Sequence, residues 1–359
     1  MATMSLSAFS AVLNLLFMDS TVDQFRRDSF LLNVLEAKPD TNAVCTWSVK
    51  MDARSAGGAY AEGADMGDSD FDSHVKVPAT LNWAGYHAGS KISGRAMRVS
   101  AANGAASVNG NVFREDISDA IDKVAMDLSA DLYAGNPAAS PVELAGAALA
   151  IDDNTGVSFA GISPGTYGDW VATEDTTTAA ALTKQVIREK LLTPVKQASG
   201  YRPEFVTVPD DLWDQVMALA DEGAHDVKEI RINGQMVDVV AITGVTAVFI
   251  DGVPFVNDRH CTSGTMYAWN TRFVHLRYIP ATAPSALNPA QLQEKIKDLT
   301  GKDVPIDEIE QRLRTARRRL MPEIDILAKD GDNHKAEVRI GEVQVRWEKR
   351  NAFGKLTVT

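Results

Sequence analysis

Six apolar positions between residues 112 and 134 (Ile117, Ala120, Ile121, Val124, Leu128 and Leu132) are spaced by 3, 1, 3, 4 and 4. That spacing draws one stripe along an α-helix of about six turns, and Gly135, Asn136 and Pro137 end it. Period two rules other stretches. From residue 43 to 51, Cys45, Trp47, Val49 and Met51 alternate with Val44, Thr46, Ser48 and Lys50, which predicts a strand. Residues 52–72 then turn small and acidic, with Gly57, Gly58, Glu62, Gly63, Asp65, Gly67, Asp68, Asp70 and Asp72. Such a run cannot bury apolar surface and predicts an exposed loop. Strand patterning returns at 73–81 and 83–86, so the whole reads as a long β-hairpin with a mobile tip. A hairpin reaching away from its core gains little from folding alone, and a neighbouring molecule is expected to supply the missing contacts.

The remaining pattern is mixed. Residues 1–36 read as amphipathic helical turns ending at Pro39, with Arg26 and Arg27 among the apolar anchors. Residues 176–199 read as a helix interrupted by Pro194, and 205–208 as a short strand. A helix capped by Asp210 or Asp211 follows, running through Trp213, Val216, Met217 and Leu219. Residues 237–242 and 246–250 are apolar runs of strand length, and 265–279 alternates as one strand. Two charged helices are expected at 288–298 and 307–320. The second carries acids at its start and Arg312, Arg314, Arg317, Arg318 and Arg319 towards its end, matching the helix macrodipole. Strands at 336–347 and 355–358 close the chain. Helices and strands mixed in this way predict an α+β fold of two or three lobes for 359 residues.

Composition narrows the function. Lys and Arg number 36 against 48 Asp and Glu, a net charge of −12. Affinity for a polyphosphate rests on basic side chains displacing counterions, so so acidic a chain is a poor general nucleic-acid binder. It can still enclose nucleic acid without gripping it. No segment approaches the ~18–20 continuous apolar residues of a membrane helix. Residues 8–18 are apolar but lack the basic flank and cleavage site of a signal peptide. Cys45 and Cys261 have no metal-type spacing and read as buried thiols made in a reducing cytoplasm.

Chemistry is sparse. No GxGxxG, GxxxxGK[ST] or HExxH pattern occurs, and the one GxSxG, GISPG at 161–165, lies in a turn-rich stretch and not at the strand-to-helix turn that the motif needs. His260 and Cys261 are adjacent and would point to opposite faces of a strand, which disfavours a nucleophilic pair. Asp152 and Asp153 with Asn154 read either as a carboxylate pair for a metal or as a turn, and the turn accounts for them. The Gly/Asp tract lacks the calcium-loop pattern. No catalytic residue, cofactor or metal site is assigned.

The order of the pieces carries a resemblance. An apolar arm, an acidic-tipped hairpin and one long helix ending LSADLYAG (128–135) come first. GISPGTYGDW (161–170) precedes an α/β lobe, and DGVPFVNDRHCTSGTMYAWNT (251–271) leads into the next strand. The set resembles the HK97-fold major capsid proteins of tailed bacteriophages over about 300 residues.

That resemblance implies an N-arm at 1–40, an extended E-loop at 41–90 and a spine helix at 112–134. The P-domain would be drawn from 91–177, 251–280 and 336–359, the A-domain would span 178–250, and 281–335 would be a helical insertion. It implies no enzyme activity but self-assembly into pentamers and hexamers of an icosahedral or prolate shell around double-stranded DNA, without sequence-specific binding and without a membrane. A separate scaffolding protein, a portal protein and a cement or decoration protein are the expected partners. Lys50 and Lys76 lie at the hairpin base and no lysine lies within the tip, so covalent cross-linking of subunits is not expected. The acidic tip (Gly57, Gly58, Glu62, Asp65, Asp68, Asp70) is expected to meet a neighbour's basic residues. Candidates are Arg114 with Lys123, or Arg317, Arg318 and Arg319, with Arg26 and Arg27 as further contacts from the arm. An encapsulin-like compartment shares the implied fold and is the alternative; an enzyme of unfamiliar type is the distant one.

Overall fold

The long helix forms where the apolar stripe placed it, and two sheets are built around it. The computed structural model describes residues 29–51, 75–93, 112–220, 227–232, 235–243, 246–280, 323–330 and 333–359, with Gln293 and Pro305. Its helices are α1 (Phe30–Val34), α2 (Val112–Ala134), α3 (Ala147–Ala150), α4 (Lys184–Ile187), α5 (Thr193–Ser199), α6 (Asp210–Ala218) and α7 (Val239–Thr243). The strands are β1 (Ala37–Pro39), β2 (Cys45–Met51), β3 (Val75–Leu81), β4 (Ala84–Ser93), β5 (Thr173–Thr177), β6 (Phe205–Val208), β7 (Glu229–Ile232) and β8 (Gln235–Asp238). They continue with β9 (Val248–Ile250), β10 (Val253–Asn257), β11 (Thr265–Trp269), β12 (Val274–Tyr278), β13 (Glu323–Asp330), β14 (Asn333–Trp347) and β15 (Gly354–Val358). No described helix is long and apolar enough to cross a membrane.

All six stripe residues of α2 are buried. The helix stops at Gly135, where the chain doubles back so closely that a side chain has no room. A Cβ at Gly135 would lie 2.6 Å from the carbonyl oxygens of Asp131 and Leu144, and one at Gly146 would lie 2.5 Å from Asp131 O. The Gly146 N–H bonds Gly135 O instead, at 2.9 Å.

One sheet is organised on β14. β4 pairs along one side of it, while β12 and β13 share the other, and β1 adds in parallel beyond β12. Along β14 the buried apolar positions are Ala336, Val338 and Ile340, then Val343, Val345 and Trp347. The switch from even to odd coincides with a register irregularity between Ile340 and Val343, where an extra residue turns the opposite face inward. The second sheet has the order β5-β15-β11-β6-β10-β9. β6, β10 and β11 are buried at every position, as continuous apolar strands covered on both faces should be. α4, α5 and α6 pack on it through Ile187, Val195, Leu212 and Val216, which form a separate core with Leu191 of the turn between α4 and α5 and with Val206, Phe255 and Leu356.

After the long path from β4 through α2 to β5, the chain passes between the sheets twice more, each time through one short 3-10 turn: Thr271–Phe273 and Arg350–Ala352. Trp269 of β11 and Trp347 of β14 stack across the junction, 5.9 Å between centroids. Phe205, Tyr133 and Phe353 surround Trp269.

Several expectations are corrected. Residues 265–279 are two strands in different sheets, because Glu204 accepts hydrogen bonds from both the amide and the hydroxyl of Thr271 and fixes a turn there. The helix expected from 176 begins at Lys184; β5 and a 3-10 turn precede it. A wider π turn at Arg188–Leu192 accommodates Pro194, which has no N–H to donate. Residues 237–242 divide between β8 and α7. α6 is capped by Pro209, and Asp211 instead accepts from the Ser263 hydroxyl and the Gly264 amide. Residues 323–330 and 333–335, expected within a helical insertion, are strand: β13 and the start of β14. The helices expected at 288–298 and 307–320 lie outside the described residues.

Two further differences concern the hairpin. β2 and β3 pair as expected from Cys45↔Leu81 to Met51↔Val75. Yet the base does not reach away from the core: Cys45, Trp47, Val49 and Met51 are all buried, and Trp47 Nε1 donates to Trp347 O at 2.9 Å. β4, expected within the hairpin, instead pairs with β14.

Candidate assembly surfaces

The sequence-derived contact residues fall mostly where nothing is described. Gly57, Gly58, Glu62, Asp65, Asp68, Asp70, Arg26, Arg27, Arg317, Arg318 and Arg319 lie outside the described residues. Arg114 lies in the first turn of α2. Lys123, its suggested companion, is committed to Asp127 one turn on, at 2.5 Å.

The side-chain constellations give no catalytic arrangement among the described residues. Cys261 follows β10 in a turn, where its thiol reaches Thr265 O at 3.2 Å. Burial pushes that thiol well above its ordinary range, and pushes Cys45 up to about 12, so neither is a ready nucleophile. Carboxylate oxygens of Asp152, Asp153 and Glu174 lie within 4.8 Å of one another. Two of the three have local partners: Asp152 accepts from the Asn154 amide in a turn, and Glu174 is paired with Lys355 at 2.9 Å.

Other polar groups fasten separate parts of the fold. Asp258, at the end of β10, is buried and accepts from the Tyr133 hydroxyl of α2 at 2.8 Å and the His260 amide at 3.0 Å. Leu31 of α1 bonds it through its backbone. Helix α2, the arm and the second sheet therefore meet at one carboxylate. Burial raises its pKa, against the lowering effect of those hydrogen bonds. A raised folded-state value means the folded chain holds the proton more tightly. This contribution is largest below the ordinary carboxylate range and is lost as pH rises through the raised value. Asp258→Asn, which keeps an acceptor for Tyr133, should therefore flatten the decline of Tm across the weakly acidic range, measured by calorimetry; an unchanged slope would contradict this.

A second cluster lies on the outward, polar face of the β14 sheet. Lys38 of β1, His275 and Arg277 of β12 and Arg346 of β14 are brought onto one face by the registers Lys38↔Arg277 and His275↔Arg346. Sequence reading missed it, since the four are spread over 300 positions.

In sequence the chain matches no protein-family model and no curated protein. In structure it is similar to the capsid asymmetric unit of cyanophage A-1(L), with a TM-score of 0.65 and 16% identity over 91% of each chain. The capsid of a native GTA particle gives 0.54 and 10% identity, covering 94% of this chain and 90% of the other. Mycobacterium phage Bobi gives 0.50 and 10%, with 93% and 91% covered. Likeness at this identity speaks for the fold alone, and the fold of this chain is α+β of the HK97-like capsid type.

Proposed function

We propose that the chain is the major capsid protein of a tailed bacteriophage, assembling as pentamers and hexamers into a closed shell around double-stranded DNA. The observation that carries this reading is the match to the cyanophage capsid subunit over nine-tenths of both chains. A shell is built from repeated contacts between copies in slightly different settings, which calls for a rigid body and adaptable extensions. The two sheets and α2 supply the first. In this reading residues 1–40 are the N-arm, the hairpin of β2 and β3 is the E-loop, and the β14 sheet, β4 included, is the P-domain with α2. The second sheet is the A-domain, which then takes in β5, β10, β11 and β15 besides 178–250. The net charge of −12 suits a lumen that encloses DNA without holding it. Scaffolding, portal and cement proteins are the partners this reading calls for, and it assigns no catalysis.

Expression of the chain with negative-stain microscopy and sedimentation tests the reading. Rings of five and six, tubes or closed shells are expected. A monomer that stays monomeric at every concentration and turns over a substrate would overturn it. Shells filled with a host enzyme would favour the encapsulin-like alternative.

A further inference from the structure

β1 is the least secured strand of its sheet. It has three residues and pairs with β12 alone, and no described strand joins its other edge. Two backbone hydrogen bonds mark its ends, from Leu276 N–H to Glu36 O at 3.0 Å and from Asp40 N–H to Tyr278 O at 2.8 Å. The elements before and after it are held firmly. Phe30, Leu31 and Leu32 of α1 are buried, and Trp47 of β2 is tied to Trp347 O. β1 is thus the adjustable link between α1 and the hairpin.

A side-chain contact joins this strand to the buried ring of His275. Lys38 Nζ lies 3.4 Å from Nε2, and an ammonium only donates, so Nε2 accepts and the neutral ring carries its proton on Nδ1. That Nδ1 is buried without a hydrogen-bond partner. Charges surround the ring from three strands. β1 brings Lys38 and Glu36, paired at 2.9 Å, and β12 itself brings Arg277. β14 brings Arg346, directly opposite the ring, and Glu348 just beyond the strand pairs with Arg346 at 3.0 Å. Asp40, after β1, accepts from the Thr41 and Asn42 amides. Arg277 makes no ion pair among the described residues, and its Nη1 reaches Pro39 O only at 3.5 Å. The two carboxylates nearest the ring are Glu36, 3.7 Å from Nδ1, and Glu348, 4.0 Å from Nε2. Each already serves another cation.

We propose that His275 is a proton-operated latch on β1: the neutral ring holds Lys38 and keeps the strand docked, and the protonated ring expels Lys38 and releases it. A proton on Nε2 turns the acceptor into a donor facing an ammonium 3.4 Å away, so an attraction becomes a repulsion between like charges. Glu36 is then drawn towards the charged ring, and Lys38 loses its counter-ion as well. β12 and β14 are paired along both edges, so β1 is the strand that yields. Burial, with Lys38 adding to the effect, holds His275 below its ordinary value. The docked strand therefore binds the proton less tightly than the released one. Docking is strongest above the ordinary histidine range and weakens as pH falls through it.

Hydrogen exchange of the full-length chain tests this, read as protection factors so that the intrinsic pH dependence of exchange drops out. Between about pH 8 and about pH 5 the Asp40 amide should lose protection about tenfold or more, while the ladder between β12 and β14 keeps its own. His275→Gln retains an acceptor for Lys38 and takes up no proton, so the loss should vanish. Lys38→Met removes the ammonium that the charged ring repels, and should shrink the loss below about threefold. This second variant decides the matter if the glutamine variant does not fold. A loss that survives in either folded variant, no loss in the unmodified chain, or an equal loss across the β12–β14 ladder would overturn the latch. None of these readings depends on assembly, so the capsid reading stands or falls separately.

Discussion

Replacing Arg350 by methionine should lower the stability of the folded chain by about 3–5 kcal/mol, read from urea unfolding. The residue is 2% exposed and stands in the turn between β14 and β15. Its guanidinium donates from Nε to Ala150 O at 2.6 Å, from Nη1 to Trp170 O at 2.8 Å and from Nη2 to Asp152 O at 3.0 Å. It also lies 4.9 Å from the centroid of Phe159, a cation over an aromatic face. Burial lowers its pKa to about 10, still far above neutral pH, so the group stays a cation. Methionine fills the stem but donates nothing, taking the donor from Ala150 O and Trp170 O and leaving Asp152 O with the Ala172 amide at 3.3 Å. Those carbonyls belong to the segments that lead into β5, so the loss should spread to that edge of the second sheet. Lysine carries the charge but cannot fork to three acceptors and should recover only part of it. A loss below about 1 kcal/mol for methionine would mean that water replaces the guanidinium, and would contradict this account.

Trp269→Ala should cost about 3–5 kcal/mol as well, by a different route. The indole is 1% exposed and fills the space between the two sheets. Its Nε1 donates to the Thr207 hydroxyl at 2.9 Å, and its ring touches Tyr133, Phe205, Tyr267, Trp347 and Phe353. Truncation leaves a cavity that rigid neighbours from two sheets and α2 cannot all close. The unfolding transition should therefore move to lower denaturant and broaden, with far-ultraviolet dichroism and the remaining tryptophan fluorescence no longer coinciding. Coincident transitions at the original midpoint would show that the sheets do not depend on this contact.

Long or strictly alternating elements were legible in the sequence because their own residues decide them. α2 follows from six apolar positions on one face, and β2 from four buried residues at period two. The break between β11 and β12 was not legible, since alternation runs through Asn270 and the turn depends on Glu204, over sixty positions earlier. β13 was missed because its eight residues, EIDILAKD, follow an Arg-rich run and are strand only through pairing with β14. Residues 237–242 show a third limit: a short apolar run fits a buried helix as well as a strand. The face that carries Lys38, His275, Arg277 and Arg346 needed both the parallel addition of β1 and the register of β12 on β14. Neither is encoded near Arg277. By contrast, the acidic tract at 52–72 stood out at once from composition.

The strand order of the second sheet sets a schedule for synthesis. β5 is hydrogen-bonded into that sheet through β15 alone, and β15 also completes the edge of β11. Residue 177 leaves the ribosome 177 residues before Gly354, a wait on the order of 10–35 s at ordinary elongation rates. β5 has nothing to join through that interval, and once β11 has emerged it can pair with β6 while its other edge stays open until β15 follows, 85 residues after Trp269. An open edge invites strands from other nascent chains, so this lobe is the part of the molecule most in need of a chaperone during translation.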